Sequence, residues 1–384
     1  MSGVRSRGMS AVRWFALVLL TWLALAPAHA VAEAVTVTDV AGRQVSVTVP
    51  VRRVILGEGR QIHVVAALDR DDPFGRIVGW GEDFEKSDPD THAAYVARFL
   101  QAAALPRFGS PNNGAFDIEK AISLQPDLVV LGAETQRPAQ EIQLVERLAA
   151  AGIPVVYVDF RHAPSRNTEP SLRLLGQVFG RTEVAEALIA FRAAEIARVT
   201  ERLATAGPLA KPLVMLDRIP GYSDECCLSF GNENFGAMVA AAGGVNLGSE
   251  LLPGTFGTIN PETIIVRDPD VVIVTGGNWE ALAPNGAWVG LGPGADLGKA
   301  QAKLAALAAR PAFRSTKAVG TGRVHAIWHQ FYTSPYQFVA LQRIAGWLHP
   351  ELFADLDAED TLRRLHERFL PIAYRSGYWI DLQR

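Results

Sequence analysis

The chain has 384 residues, 49% of them apolar and 20% charged, with a formal charge of −3. A mildly acidic balance argues against nucleic acid as a partner, and two cysteines are too few for a disulfide framework. The length is enough for two medium domains with substantial cores.

Residues 1–30 read as a secretory leader. Arg5, Arg7 and Arg13 precede an apolar run from Phe15 to Ala26, and Ala28-His29-Ala30 supplies the small-x-small pattern cleaved after Ala30. Removing it takes away three arginines and moves the formal charge to −6. No cysteine lies near the cut, so a soluble, exported chain without a lipid anchor is expected, in the periplasm.

Residues 31–167 form the first predicted lobe. Val35 to Val49 alternates around Val40-Ala41-Gly42-Arg43, which suggests a β-hairpin. Strands are then expected at Val54–Gly57, Ile77–Trp80, Leu128–Gly132 and Val155–Phe160, with helices at Gln61–Leu68, Pro89–Leu100, Ile118–Leu124 and Ala139–Ala151. That alternation is a βαβ series with a parallel sheet.

Residues 168–206 are rich in Leu, Ala, Glu and Arg, with Gly180 as an interruption and Thr182 as a cap. Val184 to Leu203 predicts one helix of about 20 residues, near 30 Å, long enough to bridge two lobes. Residues 207–384 restate the first lobe and add a helical tail. Strands are expected at Pro212–Arg218, Val271–Gly276 and Val324–His329, and helices at Phe235–Ala242, Pro261–Val266, Ala300–Leu307, Tyr336–Leu348 and Thr361–Phe369.

A repeat supports the two-lobe reading. Phe116-Asp117-Ile118-Glu119 leads into Pro126-Asp127-Leu128-Val129-Val130, and Ile259-Asn260-Pro261-Glu262 leads at the same spacing into Pro269-Asp270-Val271-Val272-Ile273. Each copy is a short helix with an exposed glutamate, a Pro-Asp stop and a strand covered on both faces. The expected fold is therefore α/β: two similar Rossmann-like lobes with mainly parallel sheets, joined by one long spine helix, with a ligand cleft between them.

Ligands of open parallel sheets bind beyond the carboxyl ends of the strands. Those positions carry Arg60, Arg161 and Arg218, with Trp80, Tyr222, Trp279, His329 and Tyr332 among them. Guanidinium forks and wide aromatic faces suit a bulky anionic ligand. Catalytic signatures are missing: there is no Gly-x-Ser-x-Gly elbow, and His325 and His329 have no third ligand at metal spacing. No enzyme and no direct metal site is expected; the rival reading is an exported chelatase-like enzyme using Glu58 and His329. Adjacent Cys226 and Cys227 read either as two partly buried thiols or as a vicinal disulfide.

The repeat, the spine helix, the leader and the phrase Ala241-Ala242-Gly243-Gly244-Val245-Asn246 together resemble the class III solute-binding proteins of ABC importers, over roughly Val51 to Leu348. The resemblance implies a monomer that carries a ferric siderophore, haem or cobalamin. It also implies docking of Glu119 and Glu262 onto an inner-membrane permease dimer. A ferric siderophore already saturates its iron, so the favoured ligand is an anionic Fe(III) complex held without an intrinsic cofactor or protein metal ligand. For haem, the resemblance makes Tyr222, His329 or Tyr332 the axial candidates.

Overall fold

The computed structural model describes residues 33–222 and 226–383. The leader and Asp224-Glu225 lie outside them. β1 (Glu33–Thr38) and β2 (Gln44–Val49) form the expected hairpin. Asp39 fixes its turn: one carboxylate oxygen accepts from the Ala41 and Arg43 backbones, each at 3.0 Å.

The first lobe's sheet is built from β3 (Val54–Leu56), β4 (Ile77–Gly81), β5 (Arg107–Phe108), β6 (Leu128–Gly132) and β7 (Val155–Val158). They are parallel throughout, in the order β5-β4-β3-β6-β7. The second lobe contributes β8 (Leu213–Asp217), β9 (Leu228–Phe230), β10 (Val245–Asn246), β11 (Phe256–Thr258), β12 (Val271–Gly276), β13 (Val324–Trp328) and β14 (Trp379–Asp381). Its main sheet runs β10-β8-β12-β13-β14, with β14 alone antiparallel, while β9 and β11 pair separately. The halves share a core: β3-β6-β7 in one matches β8-β12-β13 in the other. Most of these strands are apolar runs rich in Val, Ile and Leu because helices cover both faces, with β13, Val324-His325-Ala326-Ile327-Trp328, the most mixed. The edge strands β5 and β10 have two residues each, too short for any periodicity to announce them.

Among the helices, α1 (Ile118–Ser123) leads into β6, α2 (Pro164–Val178) and α3 (Thr182–Thr205) connect the lobes, and α4 (Phe235–Ala241) follows β9. Then α5 (Pro261–Arg267) leads into β12, and α6 (Gln337–Leu348) and α7 (Ala358–Phe369) come near the end of the chain. The repeated Pro-Asp has the same task in both lobes. Asp127 accepts from the Arg52 and Arg53 backbones at 2.7 and 3.0 Å, and Asp270 from the Leu213 backbone at 2.9 Å. Each carboxylate pins the start of its lobe's first strand beside the strand that follows the repeat.

The spine helix α3 has 24 residues and reaches both lobes. Arg173 of α2 meets Glu186 at 2.7 Å on the first-lobe side. On the other side the buried Glu195 accepts from Gln342 of α6 at 2.8 Å and from Thr361 and Arg364 of α7 at 3.2 and 3.0 Å. Burial alone would raise the Glu195 pKa, but bonds from Arg198, Gln342 and Arg364 outweigh it and hold the carboxyl below its ordinary value. The helix expected at Ala139–Ala151 is instead two, Gln136–Glu141 and Leu144–Ala150, separated where Gln143 takes a left-handed φ of 51°. Among the described residues no helix is long and apolar enough to cross a membrane.

Candidate functional site

The first lobe's wall forms where β3 ends. The chain turns tightly through Glu58-Gly59-Arg60, and a Cβ at Gly59 would collide with the Gly81 carbonyl oxygen, so only glycine fits. Arg60 emerges from this turn with its guanidinium divided among three partners. Nε faces Asp83 at 2.8 Å, Nη2 faces Glu58 at 3.3 Å, and Nη1 donates to the Tyr332 hydroxyl of the other lobe at 3.2 Å. Arg161 follows β7. The Asp159 carboxylate gathers the backbone N–H groups of Arg161, His162 and Ala163 at 2.8, 2.7 and 2.9 Å and so fixes the turn that presents it. The Arg161 guanidinium is 3.6 Å from Glu134 and lies 5.5 Å from the centre of the Tyr332 ring.

The second lobe supplies an aromatic wall. His329 follows β13, bonds Thr275 through Nδ1 at 3.0 Å, and packs 4.1 Å from the Tyr332 ring. Trp279 meets His329 edge-on at 5.6 Å and Tyr222 at 6.0 Å. Arg218 lies 4.6 Å from the Phe256 ring centre and 5.8 Å from that of Phe230. It has no carboxylate within ion-pair distance among the described residues, and its Nε is buried without a partner.

Asn234 joins the walls. Its Nδ2 donates to the Arg161 carbonyl at 2.8 Å and to the Tyr332 carbonyl at 2.9 Å, from a backbone with φ of 60°. Around it the lobes are shut on each other by Gln330 Nε2 donating to the Ser87 carbonyl at 2.6 Å and by Asn278 donating to Asp90 at 3.1 Å. A small recess of about 10 Å³ remains between Glu58, Gln61, Glu134, Arg161 and Thr333. A wider groove of about 690 Å³, bounded by Asp69, Asp72, Arg76 and Arg181, contains none of these side chains, and in it Asp69 pairs with both Arg76 and Arg181.

The electrostatics follow from the clustering. Burial pushes the Tyr332 phenol up, yet Arg161, Arg60 and Arg218 together outweigh it and bring its pKa below the ordinary value. Burial, reinforced by Arg218, Arg161 and Arg60, holds His329 far below its usual range, so the imidazole is neutral at pH 7. Burial and the neighbouring Glu134 push Glu58 up to about 8 against the pull of Arg60 and Arg161. The site therefore carries three guanidinium charges incompletely cancelled by carboxylates, a setting for an anion.

Arg60, Arg161, Arg218, His329 and Tyr332 thus come together, with Trp279 and the half-exposed Tyr222 beside them. Trp80 does not. It is buried inside the first lobe, 5.2 Å from Phe74 and 5.8 Å from Phe84, with Arg107 over its ring at 4.6 Å, and this corrects its expected place in the cleft. An indole at the end of a short strand gains more from closing the core than from facing a polar cleft. His325 and His329, weighed together above as a candidate metal pair, also part. His325 bonds Asp381 at 2.7 Å and stacks on Trp347, whereas His329 lies past the strand end. Cys226 and Cys227 are bonded to each other. Sequence reasoning missed Asp83, Glu134, Asp159 and Asn234 as site residues. For Glu134 and Asp159 a signal existed, since both follow apolar strands at their carboxyl ends.

A family model described as "Periplasmic binding protein" matches residues 58–329. No curated protein matches the sequence. Among solved structures, the TroA-like periplasmic binding protein FepB from Veillonella parvula is 25% identical, with 91% of this chain and 100% of that one covered at a TM-score of 0.81. The molybdate periplasmic binding protein MolA of a Haemophilus influenzae ABC transporter is 16% identical over 89% of this chain and 99% of its own, with a TM-score of 0.67. A periplasmic heme binding protein from Pseudomonas aeruginosa is 20% identical over 78% and 94%, with a TM-score of 0.54.

Proposed function

Because this chain belongs to the periplasmic binding protein family, we propose that it is the solute-capturing component of an ABC importer and that its solute is an anionic ferric siderophore. One observation carries the choice of ligand: three guanidiniums converge on the Tyr332 phenol, and one of them, Arg218, has no carboxylate partner among the described residues. An anionic complex supplies that partner, and the accessible faces of Tyr222 and Phe256, backed by the buried Trp279, offer flat contact area to its organic shell. The protein binds and releases without bond-breaking chemistry. A spine helix anchored in both lobes limits how far they swing, so the walls are largely preformed. Export to the periplasm fits this role.

Tryptophan fluorescence against a panel of ferric catecholate, hydroxamate and citrate complexes, haem and cobalamin tests the assignment. Saturable quenching by an anionic ferric complex, at one per chain, is the expected result. Quenching by haem or cobalamin alone would overturn the siderophore reading.

Glu119 and Glu262 are the proposed docking points on the permease. Both are exposed at the second position of their helices, with Asp117 and Asn260 as matching caps. Glu119 has an exposed partner, Arg147 at 2.6 Å, a pair worth about 0–1 kcal/mol and easily exchanged for a permease arginine. Replacing both glutamates by alanine should leave solute affinity within twofold of the parent while import by cells fails. Normal import would remove the docking role.

A further inference from the structure

Behind the cleft, where α3 passes between the lobes, lies a groove of about 220 Å³. Its walls are apolar: Ile196 of α3, Met238 of α4, and Phe338 and Leu341 of α6. One cation stands in it. Arg192 is a turn before Ile196 on the same helix face, and its Nε is buried without a partner. It forms no ion pair among the described residues, because the acid that acts on it, Glu169, is held by Arg173 at 2.6 Å. Burial pulls the guanidinium below its ordinary pKa, with Glu169 opposing only in part. Asn234 also lines the groove. That side chain is 1% exposed, and while Nδ2 serves the cleft, its Oδ1 has no partner. The groove's other polar liners, Ser165 and Gln337, are hydrogen-bonded elsewhere, so two polar groups without partners at a largely apolar surface are a cost that a fold keeps only when something else completes them.

We propose that this groove is a second binding site, for an anionic amphiphile whose carboxylate pairs with Arg192 and whose acyl chain lies on Ile196, Met238, Phe338 and Leu341. The charge selects the class: a cationic chain would be repelled by Arg192, and a neutral one would leave the guanidinium buried and unpaired. The apolar walls select the length, since each methylene taken from water strengthens binding by about fourfold. Asn234 Oδ1 accepts a hydrogen bond from a hydroxyl or a retained water beside the head group. The site is separate from the Arg161–Arg218 cleft and does not depend on which solute that cleft takes. It abuts the cleft all the same, because the Asn234 that lines it also holds the Arg161 and Tyr332 backbones.

Calorimetry with decanoate below its micellar concentration, on the full folded chain, tests this. The expected result is one saturable site per chain, at least about tenfold weaker in Arg192→Gln and absent in Met238→Glu, where an acid enters the apolar wall. Decyltrimethylammonium, with the same chain length and opposite charge, should not bind. No decanoate binding to the parent, equal affinity in Arg192→Gln, or equal binding of the cationic chain would each overturn the proposal.

Discussion

Replacing Arg161 and Arg218 together by alanine is expected to weaken binding of an anionic ferric complex by roughly 100- to 10,000-fold, from two lost charge-assisted contacts of about 1.5–3 kcal/mol each. These two are chosen because the three cleft arginines are not equivalent. Arg60 is already engaged by Asp83, Glu58 and the Tyr332 hydroxyl, so it organises its own lobe as much as it faces a ligand. Its removal would leave buried acids without a counter-charge and confuse stability with affinity. Arg161 has one loose acidic contact, 3.6 Å from Glu134, and Arg218 rests on two aromatic rings with no acid at ion-pair distance among the described residues. Burial pulls the Arg218 pKa below its ordinary value, with Tyr332 opposing, so an arriving anion relieves an existing cost. Equilibrium tryptophan quenching measures the affinity and a melting curve confirms folding. A folded double variant that binds as tightly as the parent would show that the cleft arginines do not hold the solute.

Stability of the ligand-free chain is expected to fall as pH rises from about 6.5 to 8, and Glu58→Gln should remove much of that fall. Burial and Glu134 push the Glu58 pKa up to about 8 from an ordinary value of 4.5. Between those limits the folded chain keeps a proton that the unfolded chain has lost, so the group's contribution is complete below pH 4.5 and gone once pH passes 8. Asp88 adds to the same trend, since burial, with Asp90 contributing, raises it to about 7. Histidine works in the other direction. Burial lowers His63 to about 3, so its contribution is present above its ordinary pKa of 6.5 and is lost as pH falls below that. Maximum stability should therefore lie near the crossing of the two trends, in the mildly acidic range. The amide introduced by Glu58→Gln mimics the protonated carboxyl, and the variant should melt at least about 2–4 °C above the parent at pH 8 while matching it at pH 5. Parallel melting temperatures for parent and variant across that range would refute the assignment.

The path from sequence to site was legible where the signal is local. A strand covered on both faces must be an unbroken apolar run, which is why Leu128–Gly132 and Val271–Gly276 declared themselves. The Pro-Asp before each run marked a task the structure makes plain, pinning the neighbouring strand through Asp127 and Asp270. Because parallel sheets present their carboxyl ends to the cleft, locating those runs also placed Arg60, Arg161 and Arg218 near one another. Edge strands of two residues and the break at Gln143 left no comparable trace, since neither has enough residues to show a period.

By itself, then, the amino-acid order determined two like lobes, the long helix joining them and the strand ends that carry charge, because burial pattern and helix length are properties of contiguous residues. Only the tertiary structure decided that Arg60 is engaged by acids while Arg218 rests on aromatic rings, that Trp80 belongs to a core, and that Asn234 holds both walls. Those outcomes depend on partners such as Glu58 and Glu134, or Arg60 and Tyr332, which meet only after folding. Ion pairing and desolvation act between neighbours in space, and no spacing along the chain encodes them.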